Sequence, residues 1–314
     1  MVGARGFEPA NLTKVDPIQA PLTVRLKPRA KDQLPPKRTV FGRLLNADKR
    51  PVAGAAVGIT GIRSGSGGTW GRMPEGTDAV AVSDATGEFE TYIAKDCDAV
   101  DLEIDAPGVA RTTLTRVPLG GSRHEFVLLE GAALVGRIVR DGKPIKGINV
   151  GVASVDRTAG NFTGEFVVGT DTNGLFVFPH LPARRDYQFY GLLDSLRGIG
   201  ALPARVVSVG KDGSRTDMGV ISLESGWRVA GEVRVANAQT LPVGSRLLLF
   251  RENAWNFSII DLPPDGRFDL PNVPGEALNL EVGMAGYRPA SSPAKLGRLQ
   301  SDRTGLVFVM EPGK

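Results

Sequence analysis

The chain has very little of the residue types that carry most covalent and metal chemistry. Cys97 is its only cysteine in 314 residues, and His124 and His180 are its only histidines. A single cysteine excludes an intrachain disulfide and a cysteine metal cluster, and it leaves the redox compartment unread. Cys97 also sits between Asp96 and Asp98, which raises a thiol pKa instead of activating the sulfur. The two histidines lie far apart in strand-like sequence and read as solvated or edge residues, so no metal site is expected of them. Gly-x-Ser-x-Gly, His-Glu-x-x-His and P-loop spacings are all missing, so nucleophilic and zinc catalysis are disfavoured and no cofactor is expected. No apolar run approaches a bilayer span, and Met1 is not followed by a basic segment with an apolar core. Membrane insertion is not expected, and no export signal is visible. Charge is nearly balanced, 38 Lys and Arg against 34 Asp and Glu. The one basic concentration, Lys27, Arg29, Lys31, Lys37 and Arg38, surrounds a proline-rich join without interleaved aromatics. It reads as solvated linker, and no nucleic-acid contact is expected.

What the chain has in quantity is glycine and proline, 40 and 22 residues, together with 41% hydrophobic residues. That combination suits folded cores built from many short strands and turns. One turn recurs: Asp84-Ala85-Thr86-Gly87-Glu88-Phe89, Asp171-Thr172-Asn173-Gly174-Leu175-Phe176 and Asp265-Gly266-Arg267-Phe268. An Asx residue, a glycine free to take positive φ and an apolar residue opening an extended run form a strand-turn-strand signal. A second motif places an apolar residue, a glycine and an apolar residue around Gly42, Gly136 and Gly231, which are 94 and 95 residues apart. An inward glycine at that place lets a facing side chain or strand approach closely. A Pro-[Val/Ile] strand start follows at Pro51, Pro144 and Pro242.

About seven short strands in each unit, with no sustained helical period outside an ambiguous stretch at 187–202, predict an all-β protein of tandem antiparallel Greek-key sandwiches. The expected divisions are sandwich repeats at 38–131, 132–226 and 227–314, preceded by a linker at 29–37. Residues 1–28 repeat the pattern Val-Gly, Gly-aromatic, Pro-Ala seen at 282–290, followed by an alternating strand. They read as the closing strands of a further, partial repeat, which would make the chain a piece of a longer protein. The joins at Gly131-Ala132 and Gly226-Trp227 leave little linker, so restricted bending is expected there and freer motion at 30–37.

The variable loops at 61–79, 156–164 and 252–258 each carry an exposed-looking aromatic: Trp70, Phe162, and Trp255 with Phe257. A planar apolar face with polar neighbours suits stacking on a sugar, so these four are the candidate ligand-binding residues. The alternative is that each folds back to plug its own sandwich end. The acidic run Asp96, Asp98, Asp101, Glu103 and Asp105 raises the possibility of calcium, but alternation with Leu102 and Ile104 reads as the wet face of a strand. An intramolecular Lys–Asn isopeptide needs a lysine on the first strand, where this chain has Arg43, Arg137, Arg140, Arg228 and Arg234. Sequons at Asn11, Asn161 and Asn256 matter only in a host that glycosylates them.

The order of Gly strand, Pro-[Val/Ile] strand, Asp-x-x-Gly-x-Phe turn, Leu-Pro bend and Gly-aromatic strand resembles the carboxypeptidase regulatory-like domain of the transthyretin-like sandwich type. Residues 38–312 carry three copies and residues 1–28 part of a fourth. The second copy departs from the pattern, with Tyr190-Gly191 and a longer insertion at 192–203 in place of the Gly-aromatic element. The resemblance implies a non-catalytic module of an extracytoplasmic bacterial protein, whether periplasmic, cell-surface or secreted. Such a module would space, or bind to, other domains of its parent or other surface proteins. Carbohydrate or polymer binding through the aromatic-tipped loops is the alternative.

Overall fold

The computed structural model describes residues 35–313 apart from 72, 75–76, 79, 122, 159, 237–239 and 291–293, together with residues 2, 7–8, 10, 12 and 22–28. It is nearly all β: among the described residues the helical elements are a 3₁₀ turn at Pro36–Arg38 and one α-turn at Leu193–Leu196. That α-turn falls inside the ambiguous stretch at 187–202.

The turn motif closes as its residue types demand. Asp171 Oδ1 accepts from the Asn173 and Leu175 N–H groups at 2.8 Å each, and Asp84 Oδ1 accepts from Thr86 and Glu88 at 2.9 and 3.0 Å. Gly174 has φ +71°, and a Cβ there would stand 2.3 Å from the Ile138 carbonyl oxygen. Only glycine meets both conditions. The phenylalanine that follows lies across the first-strand glycine. A Cβ on Gly42 would sit 2.3 Å from the Phe89 ring, and one on Gly136 would sit 2.6 Å from the Phe176 ring. In the first two units the two repeated motifs are therefore two halves of one packing contact, whereas in the third a Cβ on Gly231 would meet Leu306.

The strands form three two-sheet units. In each, the first strand (Thr39–Asn46, Ala132–Arg140 or Trp227–Val235) pairs antiparallel with the strand after the turn (Glu88–Tyr92, Leu175–Leu181 or Arg267–Val273). Its other edge pairs parallel with the last strand (His124–Leu128, Arg215–Ser222 or Arg303–Pro312). The second sheet of the middle unit runs in the order Glu165–Gly169, Asn149–Ser154, Asp186–Gly191, Arg205–Ser208, and the other two units repeat that order. The tandem all-β sandwich stands, with one parallel pair per unit that the sequence pattern did not reveal. The last strand crosses over from the opposite sheet, so no hairpin forces it antiparallel.

Between the sheets of each unit lies a dry core. In the middle unit it joins Leu134, Ile138, Phe176 and Phe178 of one sheet to Val150, Val152, Tyr187 and Phe189 of the other. The joins are packed. Gly131 donates its N–H to Asp212 Oδ1 at 2.6 Å, and a Cβ on Gly226 would meet Asn272 Cα at 2.8 Å and Ala201 Cβ at 2.9 Å.

Most of residues 1–34 lie outside the described residues, including much of the expected partial repeat and of the linker. Among those described, Phe7 bridges Pro28 antiparallel, as Tyr287 pairs with Pro312 at the other end of the chain. Pro35 is extended, but the 3₁₀ turn follows at once, and Arg38 is paired with Asp96 at 2.7 Å.

Candidate functional site

Trp70 lies on a strand, not in the loop expected for it: Gly67–Trp70 folds back along Ala56–Ser64, with Gly61 opposite Trp70. A Cβ on Gly61 would lie 2.8 Å from the indole, so that glycine lets the ring lie flat over the sheet. The indole Nε1–H donates to Asp101 Oδ2 at 2.8 Å, and the Arg63 guanidinium lies 4.3 Å from the ring centroid.

Asp101 corrects the reading of its strand as a wet face. It is 1% exposed, and it accepts from Arg63 Nε at 3.0 Å, Arg63 Nη2 at 2.6 Å and the Arg116 N–H at 2.9 Å as well as from the indole. The alternation itself holds, with Val100, Leu102 and Ile104 in the core and Asp101 and Glu103 on the outer face; Asp101 is buried because Arg63 and Trp70 cover that face. Burial pushes the Asp101 carboxyl up, but the hydrogen bonds from Arg63, Arg116 and Trp70 outweigh it and hold the pKa below the usual value. Glu103 is half-buried and its pKa is raised, chiefly by desolvation, while Asp105 is exposed and bonded to Arg111. The cost is a buried ion pair; the result is an indole fixed by its edge and one face yet still 50% exposed.

That exposed surface lines a cleft of about 560 Å³ between the first two units. Thr60, Glu103 and Thr113 line it on the side of the first unit, and Arg157, Thr158 and Phe162 on the side of the second. The loop carrying Phe162 is shaped by Asp156, whose carboxylate accepts from the Thr158 hydroxyl at 2.6 Å, the Thr158 N–H at 2.9 Å and Asn161 Nδ2 at 2.8 Å. Those bonds, the Thr158 hydroxyl first, hold the Asp156 carboxyl below its usual pKa. Arg111 of the first unit ties the loop down through the Thr163 carbonyl at 2.9 Å.

The structure brings three of the four predicted aromatics into one row. Phe162 and Trp70 line the same cleft, and the Phe162 ring lies 5.0 Å from that of Trp255 in the third unit. Arg157 covers Trp255 at 5.2 Å, and Trp255 remains 51% exposed. Phe257 does not join them; it is half-exposed and lies 5.6 Å from Phe250.

Sequence reasoning missed the residues that join the second and third units. Arg251 is 5% exposed and bonds Glu276 with both Nε and Nη2, the latter at 2.9 Å. It also donates to the second unit's backbone, from Nη1 to the Gly191 carbonyl at 2.6 Å and from Nη2 to the Leu202 carbonyl at 3.1 Å. Glu276 Oε2 accepts the Ala204 N–H at 2.6 Å. Around this pair pack Tyr190, Ala153 and Ala254, and the insertion at 192–203 docks through Leu193 N–H to Asn256 Oδ1 at 3.0 Å and Arg197 to Ser258 at 2.8 Å. A signal was present: Arg251 continues the inward face of Leu247 and Leu249.

His124 contacts the Pro118 carbonyl and His180 the Glu130 carbonyl, in separate units. Among the described residues no group of three or more His, Cys, Asp or Glu is arranged to hold a metal, and no helix is long and apolar enough to cross a membrane.

No family model matches the chain, and no curated protein matches it. Among solved structures it is similar to the TIE protein of Bacillus anthracis, at 12% identity and a TM-score of 0.23. That match covers 88% of this chain but 51% of the other, so the chain spans about half that protein's length. It is also similar to the minor pilin of the Gram-positive pathogen Streptococcus agalactiae, at 12% identity and a TM-score of 0.29, covering 59% of this chain and 97% of that one. A third likeness is to the BcpA major pilin subunit of Bacillus cereus, at 9% identity and a TM-score of 0.24, covering 88% and 99%. At these scores the likenesses add nothing to the argument from the site.

Proposed function

We propose that the chain is a non-catalytic scaffold of tandem sandwiches, of the carboxypeptidase regulatory-like, transthyretin-like type, working outside the cytoplasm as a spacer or as a mount for partner domains. The observation that carries this reading is the Arg251–Glu276 pair of the third unit, which is buried against the second unit and bonded to its backbone at three points. Independent beads would have no use for such a joint, because desolvating two charges is worthwhile only where their partners are fixed. The proposed units are 38–131, 132–226 and 227–314, and residues 1–28 are proposed as the closing strands of one more. Limited proteolysis followed by mass spectrometry tests the reading. First cuts in surface loops, with the joins at 131–132 and 226–227 intact, are expected; early release of separate units by cleavage at those joins would overturn it.

A second reading is favoured by one observation, the row of Trp70, Phe162 and Trp255 along consecutive units. Preorganised, half-exposed rings flanked by threonine hydroxyls suit an extended neutral polysaccharide, whose sugars stack on aromatic faces. Affinity electrophoresis against a polysaccharide panel tests it. Retardation of the parent that is lost in Trp70→Ala with Trp255→Ala supports the reading, and free migration of the parent on every polymer ends it.

A further inference from the structure

A second cleft, of about 490 Å³, opens on the joint between the first and second units and differs in chemistry from the aromatic one. Its floor is aliphatic: Val127 and Leu129, which end the first unit, are 41% and 47% exposed. Its rim is cationic, with Arg184, Arg185 and Lys211 of the second unit and Arg111 of the first. Arg111 is bonded to Asp105, and Arg185 donates to the Asn161 carbonyl. Arg184 and Lys211 form no ion pair with another described residue. The one carboxylate in the lining, Asp212, accepts the Gly131 N–H and keeps its charge, so it offsets only one of the four cations and the rim stays net positive. The rim is also built: Arg184 holds φ +56°, a region non-glycine residues rarely enter, and its N–H is fixed on the Gly210 carbonyl at 2.7 Å.

We infer that this cleft docks an acidic polypeptide segment with interspersed aliphatic residues, its carboxylates on Arg184, Arg185 and Lys211 and its side chains on Val127 and Leu129. Guanidinium groups pair with carboxylates in a two-pronged geometry, and an aliphatic floor receives valine or leucine side chains. No aromatic ring lines the cleft, so neither a sugar nor a nucleobase finds a stacking face there. The inference does not depend on the aromatic row, and it gives the proposed scaffold a surface for a partner.

Fluorescence anisotropy with a short labelled peptide alternating Glu and Val tests it on the full chain, against a Lys-Val control and with polygalacturonate as competitor. The expected result is saturable binding of the acidic peptide that weakens with salt and falls roughly tenfold in Arg184→Glu with Lys211→Glu. Both side chains are exposed, and circular dichroism checks that this variant stays folded. Trp70→Ala with Trp255→Ala should leave peptide binding unchanged, which separates this cleft from the aromatic row. Equal binding of acidic and basic peptides, no loss in the charge-reversed variant, or binding of polygalacturonate without peptide binding would overturn the proposal.

Discussion

Arg251→Ala is the perturbation whose cost can be worked most fully from the structure. It strips Glu276, 7% exposed, of its cation, and it leaves the Gly191 and Leu202 carbonyls without their donors. Breaking a buried pair from one side costs about 3–5 kcal/mol, because the surviving charge has no partner. Replacing both members with apolar residues, as in Arg251→Met with Glu276→Leu, is often neutral for an isolated buried pair. Here it should not be. Three backbone groups of the second unit, the two carbonyls and the Ala204 N–H, lose their partners as well. Each unsatisfied group costs about 1–3 kcal/mol unless water reaches it, so the double variant should remain destabilised by at least about 2 kcal/mol. Urea unfolding of the full chain followed by tryptophan fluorescence measures both values, with Trp227 and Trp255 reporting on the third unit. A single variant that loses under about 1 kcal/mol, or a double variant as stable as the parent, would refute the claim that this pair locks one unit to the next.

Three further outcomes follow. Gly136→Ala should cost about 1–3 kcal/mol by forcing the Phe176 ring aside, and Gly174→Ala at least about 2 kcal/mol, since it adds positive-φ strain to a clash with the Ile138 carbonyl; thermal melts compare them. The depressed Asp101 pKa gives stability that is present above the ordinary carboxylate pKa and lost as pH falls through the folded value. Asp101→Asn should therefore flatten the acid side of the stability–pH curve, as followed by denaturant midpoints at successive pH values. Asp101→Ala should also free the Trp70 indole, lowering its fluorescence anisotropy in a variant with Trp227 and Trp255 replaced by Phe, because the ring loses its hydrogen bond and the Arg63 that covers it loses its anchor.

Much of the fold could be read from local chemistry. The Asp-x-x-Gly-x-Phe turn and the first-strand glycine are constraints on single residues, positive φ at one and the absence of a Cβ at the other, so they leave a mark in the sequence wherever the fold recurs. The parallel pairing of first and last strands leaves none, because it is set by how the chain crosses between sheets. The candidate aromatics were found by type, but their grouping was not: Phe162 meets Trp255 across the contact between two units, which no local pattern encodes. Asp101 was misread because its strand does alternate, but the outer face at that point is covered by Arg63 and Trp70 of other strands, which no pattern within the strand itself discloses. Arg251 offered a clue, a charge on the face of Leu247 and Leu249, but its partners Gly191 and Leu202 are backbone groups of another unit, which no side-chain pattern announces.

The central claim, that consecutive units form one stiff body, is tested most directly by a distance distribution between spin labels in the second and third units. With Cys97 replaced by Ser, labels at Val177→Cys and Val243→Cys occupy exposed positions on the two units. The account predicts one narrow distance in the parent that broadens when Arg251→Ala is added. A distribution already broad in the parent, and unchanged by that substitution, would contradict it.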